Sequence, residues 1–368
     1  MPRKELVKRV RRIVVKIGTS SLTEDGEISE KKIIRFTEDV VALMKQGYQV
    51  VVVSSGAITA GAGGLKKKRE TLTIPEKQAL AAVGQAILIN EYRRHFERHG
   101  LQVGQILLTE DDLKHRRRYL NARHTMETLL SMGAVPIVNE NDSVVVKEIK
   151  FGDNDTLSAH ITSLVNADLL ILLSDVRGFY MNLDDEEPVD EIHKINEDII
   201  ERAGGSGTTH GTGGMATKIR AAELIMRFGK KMVIAHSCEG EVLTRIMKGE
   251  RLGTIFVGRE ERLSSRKQWL ALRKAKGQLV LDDGAVEALR KRKKSLLATG
   301  IERVEGTFDM GAIVELHDTK GKAVGKGIVN YNSAELDEIR GKSTKKIKEI
   351  LGGAFFDEVV NRDDLIIY

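Results

Sequence analysis

The sequence has little of what stabilises or anchors proteins outside the cytoplasm. It contains a single cysteine, Cys238, which excludes an intramolecular disulfide and is typical of a reducing compartment. The basic first residues are followed by an apolar run that is too short for the core of a signal peptide. No apolar run approaches the ~18 residues that are needed to cross a bilayer. We therefore expect a cytoplasmic protein.

The common signatures of zinc, dithiol and serine-hydrolase chemistry are absent as well. The chain has nine histidines, but we find no HExxH, CxxC or paired-histidine zinc motif and no Ser-His-Asp order. We also find no internal repeat. These absences direct attention to chemistry that needs positioning and charge rather than a covalent nucleophile.

The composition is that of a folded protein with anionic partners. Hydrophobic residues make up 41% and charged residues 30% of the 368 residues, which is long enough for two domains and a large core. The formal charge is +6 and the pI is near 9.1. This mild excess of positive charge suits a phosphorylated small molecule as well as nucleic acid.

Up to about residue 258, short apolar runs alternate with longer helical patterns. Six continuous apolar runs are typical of parallel strands that are buried on both faces. They are RIVVKI (12–17), QVVVVS (49–54), QVGQILL (102–108), VPIVN (135–139), DLLILLS (168–174) and KMVIAH (231–236). The alternation predicts an α/β fold, an α/β/α sandwich around a mainly parallel sheet. Ligands of such sheets bind at the carboxyl ends of the strands.

Residues 29–47 show how the intervening helices are encoded. Apolar residues fall on one face at helical spacing, with Ser29 as the predicted N-cap and Gly47 as the predicted C′ residue. The residues of this face are Ile33, Ile34, Thr37, Val40, Val41 and Met44.

Beyond about residue 258 the pattern changes. A charged segment at 260–277 is typical of a linker helix or hinge, and it is followed by short alternating segments with glycine-rich turns. These segments begin near residues 278, 310, 322 and 364. They predict a small, β-rich second domain.

Two polar clusters follow the first two predicted strands. Lys16 closes the first strand and is followed by Gly-Thr-Ser, which places an ammonium group and several backbone N–H groups at the sheet edge, where they suit phosphate oxygens. The alternative is a lysine that extends to solvent. Ser55 and Gly56 precede a helix whose N-terminus favours an anion, although a tight strand-to-helix turn needs no ligand.

Two dense groups, NEND at 139–142 and GDND at 152–155, flank a segment that has the pattern of a hairpin or a lid. Asp142 is suited to a substrate ammonium group, and Asn154 can both donate and accept hydrogen bonds. Asp155 precedes an apolar helical pattern, so its alternative role is that of a helix N-cap, worth about 1 kcal/mol.

Two further clusters have the pattern of a nucleotide site. Ser174 and Asp175 end a buried strand, a place suited to a sugar or base. Glycines at 211–214 lead into a helix with Lys218 in its first turn, where a cation opposes the helix dipole unless an anion is bound. Three residues separate Gly214 from Lys218, so this is not a Walker loop. Together the clusters indicate phosphoryl transfer.

These motifs resemble, in their order, those of the glutamate 5-kinases within the amino acid kinase family. The matching segments are VVKIGTS, SSGAITAG, AVGQ, NEND, FGDNDTLSA, LLSDVRGFY and GTGGMATK. The tail, with DDGAVEAL and GKGIVNYNSAEL, resembles a PUA domain. The likeness covers nearly the whole chain and implies a kinase domain at 9–258, a linker at 259–276 and a PUA-like domain at 277–360.

The resemblance also implies roles for individual residues. Lys16 and Lys218 would neutralise the transferred phosphoryl group, and Asp155 would organise these lysines or a magnesium ion. Residues that would hold glutamate are Ser55, Gly56, Asp142 and Asn154. Residues that would hold ATP are Lys16, Ser174, Asp175, Thr212, Gly213, Gly214, Met215, Ala216, Thr217 and Lys218. No side chain is assigned as a metal ligand.

The implied reaction is the Mg²⁺-dependent transfer of the ATP γ-phosphate to the side-chain carboxylate of L-glutamate, the first step of proline biosynthesis. The resemblance further implies inhibition by proline through the 140–155 region and association into a homo-oligomer. Two alternatives stay open at this point. One is another acid kinase, such as an acetylglutamate or aspartate kinase. The other is RNA binding by the tail through the basic runs at 290–294 and 342–348, against which stands the simpler interpretation of solvated charge.

Overall fold

The structure is a computed structural model, and it divides into two compact units. The first unit comprises residues 1–115 and 121–260, and the second comprises residues 116–120 and 261–368. The residues that the structure describes are 2–65, 72–144, 154–182, 184–204, 214–258, 275–292, 294–351 and 356–368.

An eight-stranded sheet forms the centre of the first unit. The strands of this unit are β1 (Arg12–Ile17), β2 (Thr23–Glu24), β3 (Glu27–Ile28), β4 (Gln49–Ser54), β5 (Val103–Leu108), β6 (Val135–Glu140), β7 (Leu169–Ser174), β8 (Glu191–Ile192), β9 (Lys231–His236) and β10 (Thr254–Val257). The order across the sheet is β5-β6-β4-β1-β7-β9-β10-β8, and β2 and β3 form a separate hairpin. The first six strands in this order are parallel, and β10 is antiparallel to β9.

Helices connect these strands. They are α1 (Arg3–Val7), α2 (Glu30–Lys45), α3 (Ala57–Gly64), α4 (Ile74–Glu97), α5 (Glu110–Lys114), α6 (Arg116–Ser131), α7 (Asn154–Leu164), α8 (Glu197–Gly204), α9 (Met215–Arg227) and α10 (Val242–Met247). In the described ranges no helix combines the length and the apolar character that a membrane crossing requires.

All six predicted strands are confirmed, and each begins within one residue of the predicted start. Every residue of β6 and β7 is buried, and so are all residues of β1 and β4 except the first. This two-sided burial is the reason that these strands are continuous apolar runs rather than alternating ones.

Helix α2 begins and ends at the predicted residues. Ser29 is the N-cap residue, as predicted, but its side chain makes no capping hydrogen bond to the helix. Its hydroxyl donates to Oε2 of Glu24 in β2 at 3.1 Å. At the other end Gly47 has a φ of 89°, and its N–H donates to the carbonyl of Met44, as expected of a C′ glycine.

The second unit contains a five-stranded sheet with its own apolar core. Its strands are β11 (Gly277–Leu281), β12 (Ile301–Glu305), β13 (Ile313–Asp318), β14 (Ala323–Val329) and β15 (Val360–Ile367). The order is β12-β11-β13-β14-β15. The helices of this unit are α11 (Asp283–Arg290), α12 (Ser333–Ile339) and α13 (Thr344–Ile350), with a 3₁₀ turn at Ala298–Gly300.

The predicted β-rich character of this unit is confirmed, although β12 was not foreseen. Only the first residue of β12 is fully buried, so its sequence carries no clear alternation. Most of the predicted linker lies outside the described residues, and the exact domain limits at 258, 276 and 360 stay predictions.

Candidate functional site

The predicted polar clusters meet at one edge of the large sheet. Strand β1 pairs in parallel with β4 on one side and with β7 on the other, and Ile17 lies opposite both Ser54 and Leu173. The carboxyl ends of β1, β4, β6 and β7 are therefore neighbours. Loops that follow these strands place their side chains at a common site.

The centre of this site is a buried ionic cluster of Lys16, Asp155 and Lys218. The Lys16 ammonium lies 2.5 Å from Oδ1 of Asp155, and the Lys218 ammonium lies 3.1 Å from Oδ2. All three side chains are buried, and Asp155 has no exposed surface. Two lysines that are far apart in the sequence are thus held side by side on one carboxylate.

The charges of these three side chains do not cancel, since two cations share one anion. Removal of charges from water is costly unless they are paired, and Asp155 provides this pairing for both ammonium groups. The remaining positive charge favours an anionic ligand beside the cluster.

The helices that carry Asp155 and Lys218 begin close to the cluster. Helix α7 starts at Asn154, so Asp155 lies inside its first turn and the interpretation of Asp155 as an N-cap is wrong. Lys218 lies in the first turn of α9, as predicted, and its N-cap is Gly214. The Thr217 hydroxyl lies 3.2 Å from Oδ2 of Asp155 and 2.7 Å from the carbonyl oxygen of Gly214, and it can donate to either. The carboxylate thus offsets the unfavourable position of the Lys218 cation in this turn.

Asn154, the other predicted residue at the start of α7, joins the ends of β4 and β6. Its Nδ2 lies 2.7 Å from the carbonyl oxygen of Ser54, 2.8 Å from the hydroxyl of Ser55 and 3.0 Å from Oδ1 of Asn139. The structure therefore brings Asn154 and Ser55 together, as the sequence predicted.

Asp142 and Gly56 lie close by, on the loops that follow β6 and β4. Asp142 lines a cavity of about 560 Å³, together with Gln85 and Glu140. The other side chains that line the cavity come mainly from α4. Gly56 directly precedes α3 and has a φ of 99°, a left-handed backbone conformation that residues other than glycine rarely adopt.

The predicted nucleotide residues are described only in part. Ser174 is buried at the end of β7 and donates to Oδ1 of the exposed Asp175 at 2.9 Å. Gly214, Met215 and Thr217 are half-buried and Ala216 is exposed. The predicted residues Thr212 and Gly213, and the first half of the GDND motif, lie outside the described residues.

Sequence reasoning missed two residues of α4 that contact the site. Gln85 Oε1 accepts a hydrogen bond of 3.0 Å from Nδ2 of Asn139, and the hydroxyl of Tyr92 lies 2.9 Å from that of Ser54. Burial raises the pKa of the Tyr92 phenol, so it stays protonated. The AVGQ motif contained a signal, because Gly84 lets α4 approach α3: a Cβ there would lie 1.7 Å from the carbonyl oxygen of Ala57.

In the second unit the basic runs are exposed and the aromatic residues nearby are largely covered. The described cations at 290–294 and 342–348 face solvent. Phe308 and Tyr331 belong to the core, and Phe356 packs against Tyr331. Base stacking requires exposed aromatic faces, which the buried Phe308 and Tyr331 do not present.

Comparison with known proteins finds a family match in each of the two units. The profile of the amino acid kinase family matches residues 11–236, and that of the PUA domain matches residues 277–351. A protein named glutamate 5-kinase from Moorella thermoacetica is 47% identical over 367 residues, which cover 98% of this chain and 97% of that protein. Its namesake from Syntrophotalea carbinolica is 45% identical over 370 residues, and the match covers 99% of each chain.

Among solved structures, a carbamate kinase from Giardia superimposes with a TM-score of 0.50 at 17% identity, over 68% of this chain and 100% of that one. At this identity the likeness concerns the fold alone. With the family profiles and the long alignments in agreement, the chain belongs to the amino acid kinase family of phosphotransferases and carries a PUA domain after its kinase domain.

Proposed function

We propose that this enzyme transfers the γ-phosphate of ATP to the side-chain carboxylate of L-glutamate, which yields L-glutamyl 5-phosphate, as the first step of proline biosynthesis. The observation that carries the proposal is the convergence of the Lys16 and Lys218 ammonium groups on Asp155. Relatives named glutamate 5-kinase, aligned over almost the entire chain, support the choice of substrate.

The chemical difficulty of this reaction is the repulsion between two anions. A carboxylate is already nucleophilic at neutral pH, so its oxygen attacks the γ-phosphorus without a general base. The bond between the γ-phosphorus and the β–γ bridging oxygen breaks, and ADP leaves with that electron pair. Lys16 and Lys218 neutralise the charge on the transferred group, an interaction of the kind that dominates catalysis in phosphoryl transfer.

Asp155 organises the two lysines in this mechanism. Each of its oxygens contacts one ammonium group, so the two cations keep a fixed separation and a fixed direction. Such pre-organisation means that little reorganisation is needed as the transition state forms.

A magnesium ion fits this site when it arrives with the nucleotide. The described residues contain no group of three or more His, Cys, Asp or Glu side chains that would hold a metal on their own. Mg²⁺ at phosphoryl-transfer sites is bound largely by substrate phosphates and water, so the site needs no such group. When bound, the ion supplies further positive charge to the phosphate oxygens.

Glutamate is assigned to the loops that follow β4 and β6. Asp142 would accept the α-ammonium group, and Ser55, Gly56 and Asn154 would complete the contacts. The cavity beside Asp142 supports the assignment of the loop after β6, since Glu140, at the end of that strand, and Asp142 both line it. The nucleotide is assigned to Ser174, Asp175 and the residues from Thr212 to Lys218.

A panel of acceptors tests the proposal. Purified enzyme with ATP and Mg²⁺ should release ADP with L-glutamate, and hydroxylamine should trap the acyl phosphate as a hydroxamate. The panel should include aspartate, N-acetylglutamate and carbamate. A higher kcat/KM with any of these than with glutamate would contradict the substrate assignment, although it would leave the kinase family unchanged.

We also propose that proline inhibits the enzyme through the region of residues 140–155. The argument is that proline shares the α-carboxylate and α-amine of glutamate, so the same polar loops can bind it. Proline at millimolar concentration should raise the apparent KM for glutamate and leave the KM for ATP unchanged. An unchanged KM for glutamate at saturating proline would refute this regulation.

A further inference from the structure

Three side-chain amides are joined by hydrogen bonds, and they include Asn154, which is assigned to glutamate, and Gln85, which lines the cavity beside Asp142. Nδ2 of Asn154 donates to Oδ1 of Asn139, and Nδ2 of Asn139 donates to Oε1 of Gln85, each at 3.0 Å. We call these three residues the amide chain. Asn139 is 2% and Gln85 is 9% exposed, so water does not readily replace these bonds.

Backbone groups that have only one hydrogen-bonding role identify which atom is oxygen and which is nitrogen in two of these amides, those of Asn154 and Asn139. The carbonyl of Ser54 can only accept, and it lies 2.7 Å from Nδ2 of Asn154. The N–H of Glu140 can only donate, and it lies 2.9 Å from Oδ1 of Asn139. Asn139 must therefore turn its amino group toward Gln85, which provides the acceptor that this group needs.

This orientation determines which atom of Asn154 remains for a ligand. Its two amide hydrogens are shared among the carbonyl of Ser54, the hydroxyl of Ser55 and Oδ1 of Asn139. In the part of the chain that the structure describes, no group donates to the amide oxygen of Asn154. An oxygen that only accepts suits an ammonium group and repels a carboxylate.

We propose that Gln85 is a positioning residue for substrate recognition. By accepting from Asn139, it keeps Oδ1 of Asn139 on Asn154 and thereby keeps the oxygen of Asn154 available to the α-ammonium of glutamate. This inference rests on the proposed function. Without Gln85 the buried amino group of Asn139 has no acceptor, and rotation of this amide to recover one would turn a donor toward the amino group of Asn154.

The helix that carries Gln85 is held firmly against its neighbour. A Cβ on Gly84 would lie 1.7 Å from the carbonyl oxygen of Ala57, and a Cβ on Gly61 would lie 2.0 Å from that of Leu80. The backbones of α3 and α4 are therefore in direct contact. A side chain on such a rigid element can hold a second residue in place with little freedom.

The test compares Gln85→Met with Gln102→Met. Gln102 is exposed directly before β5 and lies outside both the cavity lining and the amide chain, so the same substitution there is a control. Gln85→Met should raise the KM for glutamate about tenfold, equivalent to about 1.4 kcal/mol, and leave kcat and the KM for ATP within about threefold. Gln102→Met should leave all three within about twofold.

Two further measurements separate positioning from damage to the fold. Gln85→Glu keeps an acceptor oxygen in either protonation state, so it should restore the KM for glutamate to within about threefold of the wild-type value. Glutarate lacks the ammonium group, so Gln85→Met should lower kcat/KM for glutamate about tenfold more than for glutarate. Gln85→Ala removes the same acceptor and replaces Gln85→Met if that variant does not fold.

The inference is overturned if Gln85→Met and Gln102→Met behave alike, if Gln85→Glu is as impaired as Gln85→Met, or if glutamate and glutarate are affected equally. Failure of the proposed function is a different result, because it is visible in the wild-type enzyme as an absence of glutamate-dependent ADP release.

Discussion

Two polar clusters lie at the same edge of the kinase sheet, and they are held together by different forces. The ionic cluster joins three charged side chains, Lys16, Asp155 and Lys218, almost without exposed surface. The amide chain joins three neutral side chains by hydrogen bonds of 3.0 Å. Both begin at the first turn of α7, where Asn154 and Asp155 are adjacent.

The difference between the clusters concerns what remains when one member is removed. A buried charge without its partner costs several kcal/mol, whereas a buried amide without its partner costs about 1–3 kcal/mol. Loss of one member of a charged cluster should therefore lower both the stability of the fold and the catalytic rate. Loss of one member of a neutral chain should cost less stability and mainly weaken substrate binding. We interpret the ionic cluster as the catalytic element and the amide chain as the element of recognition.

The largest effect should come from Asp155→Asn. This change leaves two buried ammonium groups without their carboxylate, so the free energy of unfolding should fall by about 3–5 kcal/mol in urea denaturation. Asp175→Asn, at an exposed carboxylate of the neighbouring strand end, is the control and should cost less than about 1 kcal/mol. Equal losses in the two variants would mean that the ionic cluster does not stabilise the fold.

The second-largest effect should be a loss of catalytic rate when Lys218 is removed. Lys218→Ala should lower kcat at least ~10²-fold, as removal of a charge donor to the transition state typically does. Arg220→Ala removes an exposed cation from the same helix and should leave kcat within about twofold. A Lys218→Ala enzyme within about threefold of the wild-type kcat would remove this lysine from the mechanism.

Removal of the Asp142 carboxylate should separate substrate recognition from catalysis, because Asp142 is assigned only to the binding of glutamate. Asp142→Ala should raise the KM for glutamate about tenfold and leave the KM for ATP unchanged, since the charge lost lies beside the glutamate cavity. Steady-state kinetics with each substrate varied in turn measures both constants. If only the KM for ATP changed, the assignment of this loop to glutamate would be wrong.

The charged members of the site could be predicted from the sequence because their positions are unusual. A lysine at the end of a buried strand and a lysine in the first turn of a helix both require an explanation, and an anion supplies it. The same local reasoning assigned Asp155 to an N-cap as its alternative role, and this was wrong. Its partners, Lys16 and Lys218, are distant in the sequence and become visible only in the fold.

The neutral members could not be predicted in this way. Gln85 lies within a helix, where glutamine is an ordinary residue, and nothing local distinguishes it from Gln105 on β5. The parallel strands were predicted because two-sided burial leaves a strong local pattern, and Ser29 takes the predicted N-cap position although its side chain does not bond to the helix. For Gln85, the sequence does not reveal the hydrogen bond from Asn139, which lies 54 residues away.

The smallest effect should come from Tyr92→Phe, which tests the support of the amide chain from β4. The Tyr92 hydroxyl lies 2.9 Å from that of Ser54, whose carbonyl accepts from Asn154. Ser54 Oγ also lies 3.2 Å from the carbonyl oxygen of Ser55, so the serine hydroxyl keeps a partner when the phenol is lost. The free energy of unfolding should therefore fall by only about 1 kcal/mol.

The KM for glutamate should show whether the contact between Tyr92 and Ser54 affects substrate binding. The carbonyl of Ser54 is a backbone group and keeps its place in β4 without the phenol, so the KM for glutamate should stay within about twofold of the wild-type value in Tyr92→Phe. A larger rise, comparable to that expected for Gln85→Met, would show that recognition depends on the whole packing of α4 against the sheet. The amide chain would then have no specific role in substrate recognition, because the loss of any contact between α4 and the sheet would raise the KM for glutamate in the same way.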